Sequence, residues 1–252
     1  MKILLTNDDG LNAPGLRAAV TSLREVARVV VAAPDREQSG VGTSVTLNGP
    51  VRAAKARPVV AGVTTYAIEG TPADSVILAL ERLFKGVDMV VAGINSGANL
   101  GEDIFISGTV GAALQGYVHG LPAIAISVTS LHPTSFQAAA LLLRRIVSEF
   151  DRGALPSPSL LNVNLPPLEE QEIEGIDITR QGGRAYADRI RSGDDGKRRY
   201  FWISRSRLVA EPVEGTDIWS VRNNRVSITP LHTNMTSSKV FGKLRGLPWE
   251  LS

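Results

Sequence analysis

The sequence predicts a doubly wound α/β domain, with a mostly parallel sheet and helices on both faces, followed by a β-hairpin arm. Three observations predict it. Short β-branched runs alternate with stretches of helical periodicity from the N-terminus to about residue 165, the pattern of parallel strands joined by crossover helices. Pro14 and Pro72 stand where two of the helical stretches open, a position at which the missing N–H costs nothing. Past Pro166-Pro167 the periodicity gives way to a basic, turn-rich segment.

Each element follows from local pattern. Lys2 to Thr6 reads as a buried strand, Pro14 opens a helix over Gly15 to Val26, and Arg28 to Ala33 is a second strand. A loop from Pro34 to Gly42 and a less regular stretch to Gly62 lead to a strand over Thr65 to Glu69 and a helical run from Pro72 through Leu83. Asp88 to Ile94 is a strand, Ser107 to Val118 a helix, Ala123 to Val128 a strand, Ser135 to Phe150 a helix with apolar residues three and four apart, and Leu160 to Leu165 a strand. Residues 1–167 form a Rossmann-like core on this reading, and 168–252 a C-terminal extension.

In that extension, nine basic residues against three acids lie between Arg180 and Arg207. Ser192-Gly193-Asp194-Asp195-Gly196 is a turn signal ahead of a strand at Arg199 to Ser204, which makes a long hairpin arm. Val226 to Leu231 reads as a late core strand, and the tail carries Phe241, Leu244, Leu247 and Trp249, which a small appendage cannot bury alone. Arm and tail together predict a partner subunit. The cations, with Tyr186, Tyr200, Phe201 and Trp202, also resemble a backbone-tracking patch, but such a run is more often a solvated hairpin face or a subunit contact, so nucleic acid is not expected.

Composition narrows the chemistry. At 252 residues, 43% hydrophobic and 21% charged, the chain is ordinary globular protein, and its net charge of +2 supplies no global field for nucleic acid or membrane. No apolar run approaches the roughly 18 residues of a spanning helix, and Asp8-Asp9 interrupt the N-terminus before a signal-peptide cleavage site, so a cytoplasmic protein without membrane attachment is expected. There is no cysteine and only three histidines, His119, His132 and His232, far apart in sequence; any metal must be held by oxygen.

Ligands of open α/β sheets bind beyond the carboxyl ends of the strands, and four loops there are unusual. Asn7-Asp8-Asp9-Gly10 sets two carboxylates side by side, a repulsion that a hard divalent cation offsets, although Asp and Asn also serve as caps and turns. Ser39, in Pro34-Asp35-Arg36-Glu37-Gln38-Ser39-Gly40, adds a neutral oxygen or simply makes a turn. Gly93-Ile94-Asn95-Ser96-Gly97-Ala98-Asn99-Leu100-Gly101 alternates glycines with amides and hydroxyls, so that backbone N–H groups can approach a bound oxyanion closely while Asn95 offers a neutral oxygen at the strand's end. Ser107-Gly108-Thr109 opens a helix, as a cap or as a phosphate site. One dicarboxylate and one phosphate-compatible helix end predict a metal-dependent site for a phosphorylated ligand.

These motifs occur in order with Gly70-Thr71-Pro72-Ala73-Asp74-Ser75, Asn162-Val163-Asn164-Leu165-Pro166 and Val226-Ser227-Ile228-Thr229-Pro230-Leu231, and with them the chain resembles the SurE family of survival proteins over nearly its whole length. The resemblance implies a 5'-nucleotidase, a phosphatase of nucleoside monophosphates, with 3'-nucleotides and short polyphosphate left open as substrates. It implies one divalent cation per subunit, Mg²⁺ or Mn²⁺, on Asp8, Asp9, Ser39 and Asn95, with Asp8, Asp9 and Asn95 catalytic and Ser96, Ser107, Gly108 and Thr109 near the phosphate. It also implies a homodimer or homotetramer that exchanges the C-terminal hairpin and tail. Ile106 departs from the tyrosine that often precedes Ser-Gly-Thr in the family.

The expected mechanism is attack of a metal-positioned water on the phosphate ester. Two alternatives compete. An aspartyl-phosphate phosphatase would use Asp8 as nucleophile, but those enzymes carry Asp-x-Asp, and Gly10 occupies the second position. A phospho-receiver signalling module needs a third Asp and a Lys at later strand ends, where this chain has Asn95 and Ser127 to Thr129.

Overall fold

Ile3, Leu4 and Leu5 are inaccessible to solvent on both faces of the first strand, which is possible only if helices cover the sheet from both sides. The computed structural model describes residues 1–184, 186–207 and 211–249, and runs in the order β1 (Lys2–Thr6), α1 (Pro14–Leu23), β2 (Arg28–Pro34), β3 (Arg52–Lys55), β4 (Thr64–Glu69), α2 (Pro72–Leu78), β5 (Met89–Ser96), α3 (Gly108–Val118), β6 (Ala123–Val128), α4 (Gln137–Asp151), β7 (Leu160–Leu165), β8 (Ile176–Ile178), β9 (Tyr186–Asp194), β10 (Arg199–Arg207), α5 (Asp217–Arg222), β11 (Val226–Leu231) and α6 (Ser238–Leu244). Nine strands form one sheet in the order β3-β4-β2-β1-β5-β6-β7-β11-β8, and β9 and β10 pair separately. From β4 to β7 all neighbours are parallel; β3 is antiparallel on one edge, and β11 is antiparallel to β7 with β8 parallel to β11 on the other. The predicted α/β class with its separate antiparallel hairpin is what the chain forms.

The period of two along each strand divides the core. Ile3, Leu5 and Val31 pack with Leu16, Val20 and Leu143 under α1 and α4, whereas Leu4, Val30 and Val90 pack with Val76, Ala112 and Ala113 under α2 and α3. Close approach is bought by glycine at two places. A Cβ on Gly116 would lie 2.6 Å from Val90 Cβ, and one on Gly15 would lie 1.9 Å from the Ile94 carbonyl oxygen, so α3 and α1 both sit directly on β5.

Several predicted boundaries shift. α1 ends at Leu23, and Val26 and Ala27 close a turn on the Leu23 carbonyl. The run from Pro72 is α-helical only to Leu78 and continues to Leu83 as a π-helical turn. β5 extends two residues past Ile94, with a register irregularity against β6 between Ala92 and Asn95. Ser135 precedes α4 by two residues, its hydroxyl accepting the Gln137 N–H at 3.1 Å. Strand β3, within the stretch read as irregular, carried no alternation because all of Arg52-Ala53-Ala54-Lys55 is exposed.

The hairpin turn lies later than Ser192 to Gly196. Ser192, Gly193 and Asp194 pair with Phe201, Tyr200 and Arg199, and the chain reverses at residues 195–198, where Asp195 Oδ1 accepts the N–H groups of Lys197 and Arg198 at 2.9 and 2.8 Å. The sheet itself continues beyond residue 167, since β11 and β8 join it and Val226 enters the α1/α4 core. No helix among the described residues is long and apolar enough to cross a membrane.

Candidate active site

The chain leaves β1 for β2 and β4 on one side, then returns to β5 on the other, which puts the topological switch point between β1 and β5. Asp8 follows the first of these strands, and Asn95 and Ser96 are the last two residues of the second. Both line a cavity of about 430 Å³, together with Ser39, Ser96 and Ser107. Four separate loops therefore deliver five of the predicted residues to one place.

Asp8 is 5% exposed, and burial pushes its carboxyl up to about 6 although the Thr109 hydroxyl donates to Oδ1 and opposes the shift; the Asp9 charge adds to it. Gly108 makes this contact possible, because a Cβ there would fall 2.8 Å from Asp8 Cβ and 3.2 Å from Pro72 Cγ. Thr109 is wholly buried with its hydroxyl committed to Asp8, so its side chain serves the carboxylate. Ser107 caps α3, accepting the Val110 N–H at 3.1 Å, while the first turn of that helix keeps its other N–H groups free of helical acceptors.

Asp9 is half-buried beside the cavity, and its Oδ2 accepts the Ser96 N–H at 3.0 Å. Burial raises its pKa, the Ser96 N–H opposes that, and the nearby Glu37 charge adds to it. Asn95 donates Nδ2 to the Gly97 carbonyl at 2.9 Å, which leaves its amide oxygen for the cavity. Ser39 is exposed on the rim and donates to Glu37 Oε1 at 2.8 Å.

Whether these residues suit a metal is answered by the donor chemistry. Two neighbouring carboxylates, both with raised pKa values, are short of positive charge, and an amide oxygen and a hydroxyl stand on the same cavity. The set is all oxygen, as Mg²⁺ and Mn²⁺ require. Among the described residues no group of three or more His, Cys, Asp or Glu converges, so the neutral oxygens would have to complete the coordination. The fit is to one hard cation.

Sequence reasoning assigned no role to the residues that hold this site in place. Asn99 donates its backbone N–H to Asn164 Oδ1 at 2.9 Å and its Nδ2 to Ser127 Oγ at 2.8 Å, while its carbonyl accepts Nδ2 of Asn162 at 2.8 Å and of Asn164 at 3.0 Å. All four residues are buried. The signal was present: two amides alternating around Val163 in an otherwise apolar strand put both on one face. Asp74 likewise caps α2 and accepts the N–H and hydroxyl of Thr46 at 2.9 and 2.6 Å, pinning the loop after Gly42. Asp103, Thr129 and Leu131 line the cavity as well and were not singled out by sequence.

Comparison with known proteins is consistent with this architecture. The family described as survival protein SurE matches residues 3–188. Proteins named 5'-nucleotidase SurE are similar to the chain: that of Dehalococcoides mccartyi is 44% identical over 244 residues, 96% of this chain and 92% of that one, and that of Geobacter sulfurreducens 43% identical over 256 residues, 100% and 95%. The crystal structure of the SurE protein from Aquifex aeolicus superposes with a TM-score of 0.83 at 40% identity, over 97% of this chain and 98% of that one. The chain belongs to the SurE family.

Proposed function

We propose that the protein is a phosphomonoesterase that hydrolyses nucleoside 5'-monophosphates with one divalent cation, Mg²⁺ or Mn²⁺. The observation that carries this reading is the buried Asp8 carboxylate, held against the N-terminal turn of α3 by the Thr109 hydroxyl on a cavity shared with Asn95, Ser39 and Ser107, with the half-buried Asp9 next to it in the chain: carboxylates for a cation beside N–H groups for an anion. Its relatives at 41–44% identity bear the name 5'-nucleotidase.

Asp8, Asp9, Ser39 and Asn95 would hold the cation, which when bound supplies neutralisation of the phosphoryl charge and a lowered pKa for attacking water. Thr109 fixes the Asp8 carboxylate through its hydroxyl, and Ser96 fixes Asp9 through its N–H. The N–H of Gly108 and the hydroxyl of Ser107 offer donors to the equatorial phosphoryl oxygens, an arrangement worth about 2–4 kcal/mol in the transition state. Gly10 has φ +90° and lies against the Arg36 backbone; with glycine there, the second carboxylate of an aspartyl-phosphate enzyme is missing.

Residues 1–167 carry the site on this reading, and residues 168–252 build the assembly. Ile190, Phe201, Trp202 and Ile203 are exposed on the arm, and Phe241, Leu247 and Trp249 on the tail, enough apolar surface to support exchange between subunits of a dimer or tetramer. A cytoplasmic location accords with this chemistry. The test is phosphate release from a panel of nucleotides, including 3'-nucleotides and polyphosphate, with Mg²⁺, Mn²⁺ or chelator. Release from 5'-monophosphates that chelator abolishes is expected; a metal-independent rate, or covalent phosphate on Asp8 by intact mass, would overturn the mechanism.

A further inference from the structure

The cavity has two unlike ends. Asp8, Asn95 and Ser107 form a polar, buried end, whereas Ile106 and Leu131 form an aliphatic wall toward the mouth. These two side chains come from different loops, one after the turn that follows β5 and one after β6, yet they line the same space. Ile106 is 44% exposed and Leu131 is 75% exposed, so neither contributes much to the core.

Both are nonetheless held. The Ile106 carbonyl accepts the Gly42 N–H at 2.9 Å and its own N–H reaches the Asp103 carbonyl at 3.1 Å. Leu131 lies over Gly97, where an added Cβ would meet its Cδ2 at 3.4 Å, and the adjoining Thr129 N–H is tied to the Leu165 carbonyl at 2.9 Å. Asn99, also lining the cavity, has its N–H, its carbonyl and its Nδ2 consumed inside the protein. The Ile106 and Leu131 side chains thus offer apolar contact and no hydrogen bond of their own.

We propose that Ile106 and Leu131 determine specificity by receiving the nucleobase of the substrate through apolar contact. The proposal rests on the nucleoside-monophosphate reading above. With the phosphate at the Asp8 end, the mouth is where the rest of the molecule must lie, and a 430 Å³ cleft is of a size that holds a ligand of this class. Contact by area favours larger bases over smaller ones and discriminates weakly among bases of one size. Adenine and guanine should therefore be used alike, and both ahead of pyrimidines.

The experiment compares kcat/KM for adenosine 5'-monophosphate with that for ribose 5-phosphate, which lacks only the base, using the full-length protein with metal. Wild type should favour the nucleotide at least tenfold. Leu131→Ser and Ile106→Ser should each reduce that preference several-fold, and Ile106→Phe should increase it. A wild-type ratio near one, or serine variants that keep the wild-type ratio, would overturn the proposal, including the case in which they change only the oligomeric mass. If neither ester is hydrolysed the phosphomonoesterase reading fails, and calorimetric titration with adenosine still decides the wall: binding weakened several-fold by Leu131→Ser supports it, and no binding to wild type refutes it.

Discussion

Asn164 closes a two-bond clasp on the backbone of Asn99, its Oδ1 accepting the Asn99 N–H at 2.9 Å and its Nδ2 donating to the Asn99 carbonyl at 3.0 Å. The clasp joins β7 to the glycine-rich loop that begins at Asn95, two strands away in the sheet. Replacing Asn164 by leucine keeps the volume but strands the buried Asn99 N–H. A loss of about 2–3 kcal/mol is expected in urea denaturation, with a fall in phosphate release at subdenaturing conditions. Unchanged values for both would show that the clasp holds nothing.

Asp8→Asn and Asp9→Asn should each reduce phosphate release more than tenfold at saturating metal, since each removes a formal charge from the proposed cation site without changing side-chain size. Without metal the Asp8→Asn protein should be no less stable than wild type, because it removes a buried carboxylate whose burial already opposes ionisation. Thermal melting and a phosphate assay on the same preparations decide this; residual activity above a tenth in both variants would contradict the assignment.

Gly108→Ala tests how tightly α3 is seated against Asp8. The added methyl would sit 2.8 Å from Asp8 Cβ and 3.2 Å from Pro72 Cγ, neither of which is a flexible side-chain end. Helix propensity favours alanine by about 1 kcal/mol, but overpacking here should cost about 1–3 kcal/mol and displace the carboxylate. A net loss of stability with loss of turnover is expected, and a stabilised, fully active variant would refute the packing.

The pairing of Arg225 with Asp177 fastens β8 to the end of β11. Nε and Nη2 of Arg225 donate to the two carboxylate oxygens at 2.8 and 2.7 Å, and the Arg225 hydrogen bonds, helped by one from the Ser220 hydroxyl, hold the Asp177 carboxyl below its ordinary value. A lowered folded pKa means that the stabilisation is fully present above the unfolded value of 3.8 and is lost as pH falls through the lower folded value. Arg225→Ala should therefore lower the urea midpoint at pH 7, and the difference from wild type should shrink in acid as the Asp177 carboxylate is protonated. Urea midpoints measured from pH 7 down to pH 3 would show whether the curves converge.

Deleting residues 184–204 removes most of the hairpin and with it the exposed Phe201, Trp202 and Ile203. By light scattering coupled to gel filtration, the intact protein should exceed the mass of its 26.9 kDa chain and the deletion should give a smaller assembly. An intact protein that runs as a monomer at micromolar concentration would leave the arm without a subunit role and raise nucleic acid as its ligand.

Local pattern was enough for the sheet and for the residue types at its carboxyl ends. Ile3 to Leu5, Val29 to Val31 and Ala123 to Ile126 are apolar because both faces are covered, and a run of that kind needs no knowledge of its partners to be read as a buried strand. Asp8, Asn95 and Ser107 were legible because each breaks the apolar pattern where a strand or loop ends. Strand β3 was not, since an exposed edge strand carries no burial signal, and neither was the turn at residues 195–198, because the glycines at 193 and 196 satisfy turn and strand alike until the partner strand sets the register. Only the tertiary structure could show that Thr109 is spent on Asp8, that the amides of β7 grip Asn99, and that Ile106 and Leu131 share one wall. Each of those relationships joins residues far apart in the chain, and such contacts depend on how the sheet is ordered rather than on any local spacing.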